Sequence, residues 1–192
     1  MKQRMIEYIL QFLIRDDLID VSSIIQYSTI NNTKCKIRII PSGFFDVDKF
    51  MTDKTIPALP FSTIDDIPIL FGQSRIEKLN GIIVVYADLI ASSFFLLSRY
   101  EECVKREVRD KYGRFPGKES ILYKAGIIDR PVVDEYGVLL RSLLRQVGIK
   151  VKEPKEEFSK IYLTHDVDAP WKRQSFYITL RTVSYTHLTL PT

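Results

Sequence analysis

Asn80-Gly81-Ile82-Ile83-Val84-Val85-Tyr86-Ala87-Asp88 carries the plainest structural signal in the chain. The β-branched run is continuous rather than alternating, which is the signature of a strand buried on both faces. Gly81 punctuates its start, and Asp88 has the short carboxylate that caps a following helix. Residues 89–108 then predict one long helix, apolar through Phe94, Phe95 and Leu97 and polar from Ser98-Arg99-Tyr100-Glu101-Glu102 onward. A buried strand that feeds a helix sets the fold class as α/β.

The flanks extend that reading in both directions. In residues 1–19, Ile6, Ile9, Leu10, Leu13 and Ile14 recur at helical spacing with Glu7, Gln11 and Arg15 between them, which predicts an amphipathic helix. Glu7 interrupts what would be a hydrophobic signal core and no small-residue cleavage site follows, so neither a secretory signal nor a membrane span is expected, and the expected location is cytoplasmic. Cys35, Ile37 and Ile39 alternate with Lys34, Lys36 and Arg38, predicting a half-buried strand with a basic outer face, closed by Pro41-Ser42-Gly43. Residues 44–73 read as irregular, because Pro57, Pro60 and Pro68 are too closely spaced for a helix; within them Ile67-Pro68-Ile69-Leu70-Phe71-Gly72 reads as a short edge strand.

Downstream, Asp110-Lys111-Tyr112-Gly113-Arg114-Phe115-Pro116-Gly117 is a turn-rich loop with two aromatics, the kind of segment that often carries binding residues. Ser120 opens a short helix ending near Gly126. Pro131 opens a longer one whose apolar stripe runs through Val132, Val133, Tyr136, Leu139, Leu140, Leu143, Leu144 and Val147 to a stop at Gly148. Residues 150–159 form a charged, proline-containing connector, so an N-terminal mixed α/β domain is expected over residues 1–155.

Composition narrows the function classes. With 45% apolar residues in 192, the chain can bury a core. Lys and Arg exceed Asp and Glu by 28 − 24 = 4, and no compact basic block interleaves with aromatics, so no nucleic-acid partner is expected. Cys35 and Cys103 have no metal-ligand spacing and suggest no disulfide framework.

Beyond the connector, Lys160-Ile161-Tyr162-Leu163-Thr164-His165-Asp166-Val167-Asp168-Ala169-Pro170-Trp171 reads as a strand that delivers two acids to its own end, with Pro170 barring further pairing. Alternate side chains of an extended segment share a face, so Asp166 and Asp168 point the same way. Like charges so close favour a metal between them, a shared proton, or solvation in a surface turn.

Thr164-His165-Asp166-Val167-Asp168 resembles the first motif of the polysaccharide deacetylase family, in which a strand of a distorted (β/α) barrel ends in neighbouring aspartates. The commonest form of that motif has adjacent aspartates; here Val167 stands between them. The resemblance implies Asp166 as the general base for a metal-bound water and Asp168 as a metal ligand, completed by two histidines further along. It also implies zinc or a similar divalent ion, an N-acetylated saccharide substrate, and a barrel beginning at residues 160–182.

A second resemblance covers roughly residues 1–155. Pro68-Ile69-Leu70-Phe71-Gly72, Ser98-Arg99-Tyr100-Glu101-Glu102, Gly113-Arg114-Phe115-Pro116 and Asp129-Arg130-Pro131 with Glu135 are similar, in order and spacing, to the uncharacterised α/β domain found before deacetylase-like domains in bacterial polysaccharide loci. Arg99, Glu101, Glu102, Arg114 and Arg130 are then either solvated surface charges or a polar seam that grips the deacetylase domain.

Residues 183–192 look like the translation of a sequencing adapter and are set aside, His187 with them. The expectation is therefore a truncated piece of a metal-dependent deacetylase-like hydrolase that is inactive itself. Two carboxylates fall short of the three protein ligands a catalytic metal site usually has, so no tight metal binding is expected of the piece. Three alternatives stay open: an aspartyl-nucleophile phosphatase, an Asp-X-Asp glycosyltransferase, and a non-catalytic glycan-binding or scaffold module.

Overall fold

The run Ile82-Ile83-Val84-Val85 lies inside a four-stranded sheet, and its neighbours in that sheet come from distant parts of the chain. The computed structural model describes residues 2–30, 35–152 and 162–163. The chain divides into two units, Met1–Pro154 and Lys155–Thr192, and the account below concerns the first. Its elements are α1 (Lys2–Ile14), α2 (Val21–Ile24), β1 (Ile25–Tyr27), β2 (Ile37–Ile39), β3 (Ser62–Ile64), β4 (Ile67–Ile69), β5 (Gly72–Leu79), β6 (Ile82–Ala87), α3 (Leu89–Leu97), α4 (Tyr100–Val104), α5 (Ile121–Lys124) and α6 (Val132–Gln146). The fold is mixed α/β.

The sheet runs in the order β1-β2-β6-β5. β1, β2 and β6 are parallel, with Ile37 opposite Ile83 and Ile39 opposite Val85, while β5 returns antiparallel beside β6. Ile37, Ile39, Ile83, Val85 and Ala87 join one core with the apolar stripes of α1, α3 and α6. Val84 and Ile82, which point the other way, are buried as well, so β6 is closed on both faces as its unbroken apolar run predicts. α1 and α6 are the helices read from periodicity, and they cross closely at Gly137, where a Cβ would stand 2.8 Å from the carbonyl oxygen of Leu13. Arg141 donates from Nη1 to that same oxygen at 2.6 Å. A buried guanidinium thus completes the end of α1, whose last carbonyls lack helical partners.

Four local features depart from the expectations or add to them. β2 is an inner strand in which Ile37, Arg38 and Ile39 are all buried, so its face at Arg38 is not an exposed basic one. Alternation cannot distinguish a half-exposed strand from one whose polar side chain is covered by tertiary contacts. Residues 44–73 are not irregular throughout: they contain a 3-10 turn at Asp53–Thr55 and the β3–β4 hairpin. Within that hairpin β4 is the short strand expected around Pro68.

β5, the third, adds a strand where no expectation was stated. Its residues are mostly exposed and give no clear periodicity, yet Asn80-Gly81 is the strongest short hairpin signal there is. Leu79 pairs with Ile82 across these two residues, which have φ of 50° and 80°, the left-handed pair that a type I′ turn needs.

The fourth concerns residues 89–108. They form two helices, because Arg99 adopts φ 53° and ψ 37° and turns the chain. Ser98 Oγ bonds its own i−4 carbonyl at Phe94 (2.6 Å), a contact that bends helix ends. Beyond the break Tyr100 and Glu101 are buried rather than solvated. Tyr100 packs on Phe44, Phe50 and Phe95, and its hydroxyl lies 2.8 Å from Thr55 Oγ1.

Candidate functional site

Parallel strands bring their C-terminal ends to one edge of the sheet, and open α/β folds place their sites there. Here that edge gathers Tyr27 at the end of β1, Ser42 just after β2 and Asp88 just after β6. Asp88 is fully buried. Its Oδ2 accepts from Tyr27 Oη (2.8 Å), Ser42 N (2.7 Å) and Ser42 Oγ (2.7 Å), and its Oδ1 accepts from Ala91 N (2.9 Å) as the N-cap of α3. Burial pushes the carboxyl pKa up, against the pull of these four donors. The Tyr27 hydroxyl is pushed far up by burial and by the neighbouring Asp88 charge, so it remains a donor.

Four donors engage both oxygens of Asp88. Its chemistry is that of a clasp: one carboxylate ties the ends of β1 and β2 to the first turn of α3. The clasp fixes the Pro41–Phe45 turn, which drops Phe44 into an aromatic cluster with Phe71 (4.9 Å) and Tyr100 (4.8 Å). A cleft of about 370 Å³ lies alongside, with Ser42, Phe71, Gly72, Lys49 and Lys54 in its walls. Lys49 is committed to Asp46 at 2.7 Å, which raises its pKa.

The five charged residues expected as a seam occupy three separate places. Arg99 and Glu102 form a bidentate pair (2.9 and 2.5 Å) on the outside of α4. Glu101 is buried beside them and turned inward: both its oxygens accept from Ile121 N (3.1 and 3.0 Å), and Lys105 Nζ donates to Oε1 at 2.6 Å. It anchors the start of α5. A smaller cleft of about 260 Å³ runs past Arg99, Glu101 and Glu102.

Arg114 stays in its own loop, donating from Nε to Asp110 Oδ2 (3.1 Å) and stacking on Tyr112 at 4.8 Å. Backbone N–H groups of Arg114 and Tyr112 also bond Asp110 and hold its carboxyl below the usual range. Arg130 bridges Asp66 Oδ2 (3.1 Å) and Glu135 Oε1 (2.7 Å), and the Glu135 contact raises its pKa. Asp166 and Asp168 lie outside the described residues.

Among the described residues no group of three or more His, Cys, Asp or Glu side chains is placed to hold a metal ion, and no helix is long and apolar enough to cross a membrane. Sequence reasoning finds Asp88 only as a helix cap. It misses Tyr27 and Ser42, which stand 61 and 46 positions away and are joined to it only by the parallel pairing of β1, β2 and β6. Ser42 had a weak signal in the Pro41-Ser42-Gly43 turn; Tyr27 had none.

Residues 2–149 match a family described as a family of unknown function, DUF7033. No curated protein and no solved structure matches the chain.

Proposed function

The chain belongs to the DUF7033 family of unknown function, and we propose that residues 2–149 are the accessory domain of a metal-dependent, polysaccharide-deacetylase-like hydrolase that removes N-acetyl groups from a saccharide. The observation that carries this reading is the apolar stretch ending in Asp166-Val167-Asp168, which follows the charged connector beyond the family's span. It is supported by the way the domain uses its own charges. Asp88, Glu101 and Arg141 are buried and hydrogen-bonded within the domain, serving its architecture.

In this reading Asp166 is the base and Asp168 a metal ligand. Two carboxylates are fewer than the three protein ligands usual at a catalytic zinc, and the described residues add no cluster. The donors at hand do not make a complete site, and no step is assigned through the ion.

The test uses the complete gene product with an N-acetylated oligosaccharide. Asp166→Asn is expected to keep its metal content and to release acetate roughly 10²–10⁴-fold more slowly, the range for loss of a general base. Asp168→Asn is expected to lose metal, with activity partly restored by excess metal. Equal metal loss in both variants would overturn the division of roles. Release of phosphate from a phosphorylated sugar by the wild type, with no acetate from the N-acetylated oligosaccharide and with Asp166 trapped by beryllium fluoride, would replace the deacetylase reading with the phosphatase one.

A further inference from the structure

A third cleft, of about 520 Å³, opens between the β3–β4 hairpin and the connection from α5 to α6. This volume falls within the range of small-molecule sites, roughly 300–1,000 Å³. Pro60, Phe61, Pro68 and Ile127 give it apolar walls, and Asp66 and Arg130 stand among them. Pro68 is held in place from behind, since Tyr136 donates its hydroxyl hydrogen to the Pro68 carbonyl at 2.6 Å.

The charges here are balanced. Arg130 is shared between Asp66 and Glu135, and Lys124 is paired with Glu119 at 2.9 Å, so no surplus cation awaits an anionic ligand. Polar capacity remains nonetheless. Asp66 is 87% exposed and has a second oxygen, and the guanidinium has five N–H donors. Glu135, which does not line the cleft, holds Arg130 through Oε1.

The hairpin itself bears on the purpose of Asp66. Asp65 and Asp66 form its two-residue turn with φ of 48° and 67°, where the other hairpin of this domain uses Asn80-Gly81. Glycine is the favoured residue at the second position of such a turn. A side chain kept in that conformation puts a carboxylate at the mouth of the cleft at a cost in backbone strain, and strain of this kind concentrates at ligand sites.

We propose that this cleft binds a neutral saccharide. A sugar ring has an apolar C–H face, which suits Phe61 and the two prolines. Its vicinal hydroxyls can donate to the Asp66 carboxylate while accepting from Arg130. The proposal rests on the carbohydrate reading above for the class of ligand, and on the cleft for its place.

The test is a nuclear magnetic resonance titration of the whole chain with a β-1,4-linked N-acetylglucosamine trimer, and with a proline-rich peptide for comparison. The trimer is expected to shift the resonances of Phe61, Ala125 and Ile127. Phe61→Ala should weaken it by about tenfold or more, as loss of an aromatic contact together with its ordering effect would. Asp66→Gly is the sharper variant. It relieves the positive φ and so should melt at a higher temperature than wild type, yet bind the trimer about tenfold more weakly.

A trimer that leaves these resonances unmoved at millimolar concentration would overturn the proposal, as would binding of the peptide alone. So would an Asp66→Gly variant that binds like wild type. Asp166→Asn separates the two readings, because it should slow acetate release by the complete gene product roughly 10²–10⁴-fold and leave the cleft titration unchanged. An intact titration, with no acetate release from the complete wild-type gene product, would fail the hydrolase and spare the cleft.

Discussion

Replacing Asp88 by alanine tests the clasp at the sheet edge most directly. The substitution strips the acceptor from two backbone N–H groups, Ser42 and Ala91, and from the hydroxyls of Tyr27 and Ser42. The hydroxyls can turn away; the backbone groups cannot. A buried donor left without a partner costs about 1–3 kcal/mol, so the two backbone groups together cost roughly 2–6 kcal/mol. The centre of that range is about 4 kcal/mol. At ~2–4 °C per kcal/mol for a chain of this size, Asp88→Ala should lower Tm by about 8–16 °C.

Tyr27→Phe is the internal control. It deletes one of four donors, while the carboxylate keeps the other three, so about 0.5–1.5 kcal/mol and a shift of a few degrees are expected. Thermal unfolding followed by circular dichroism reads both variants. If Asp88→Ala melted within the shift of Tyr27→Phe, the donors would have other acceptors and the clasp would be wrong.

Two further outcomes follow from the same structure. Burial raises the Asp88 pKa in the folded state above its unfolded value, so the native state holds that proton more tightly; stability should fall as pH rises across the interval between the two values. Asp88→Asn should remove that segment of the slope in urea-unfolding free energies measured against pH, and a slope unchanged in the variant would refute the burial argument. At Gly137 alanine gains about 1 kcal/mol in helix propensity, but its Cβ would stand 2.8 Å from Leu13 O and 2.9 Å from Arg141 Nη1. Parting α1 from α6 costs about 1–3 kcal/mol, so Gly137→Ala should lower Tm, and a raised Tm would show that the helices yield freely.

Local pattern determined a good deal of this fold. α1 and α6 were legible because a 3.6-residue apolar stripe has one physical meaning on a surface helix, and β6 because an unbroken β-branched run must be covered on both sides. Asp88 was legible as a cap, and Ser120 as the start of α5, since both act on N–H groups two or three residues away. Asp166 and Asp168 are legible only as a motif, and their place in the fold lies outside the described residues.

Tertiary structure decided the rest. Arg38 and Glu101 carry charges that periodicity assigns to solvent, yet Arg38 lies in an inner strand and Glu101 anchors the backbone of Ile121. The break at Arg99 depends on Tyr100 finding Phe44 and Thr55, residues about fifty positions earlier. Likewise the union of Tyr27, Ser42 and Asp88, and the pairing of Asp66 with Arg130, exist only once strands and helices are side by side. A sequence states which groups a chain carries and the local geometry of each; which distant groups become neighbours is fixed by the burial of apolar faces, a sum over the whole core that no single stretch contains.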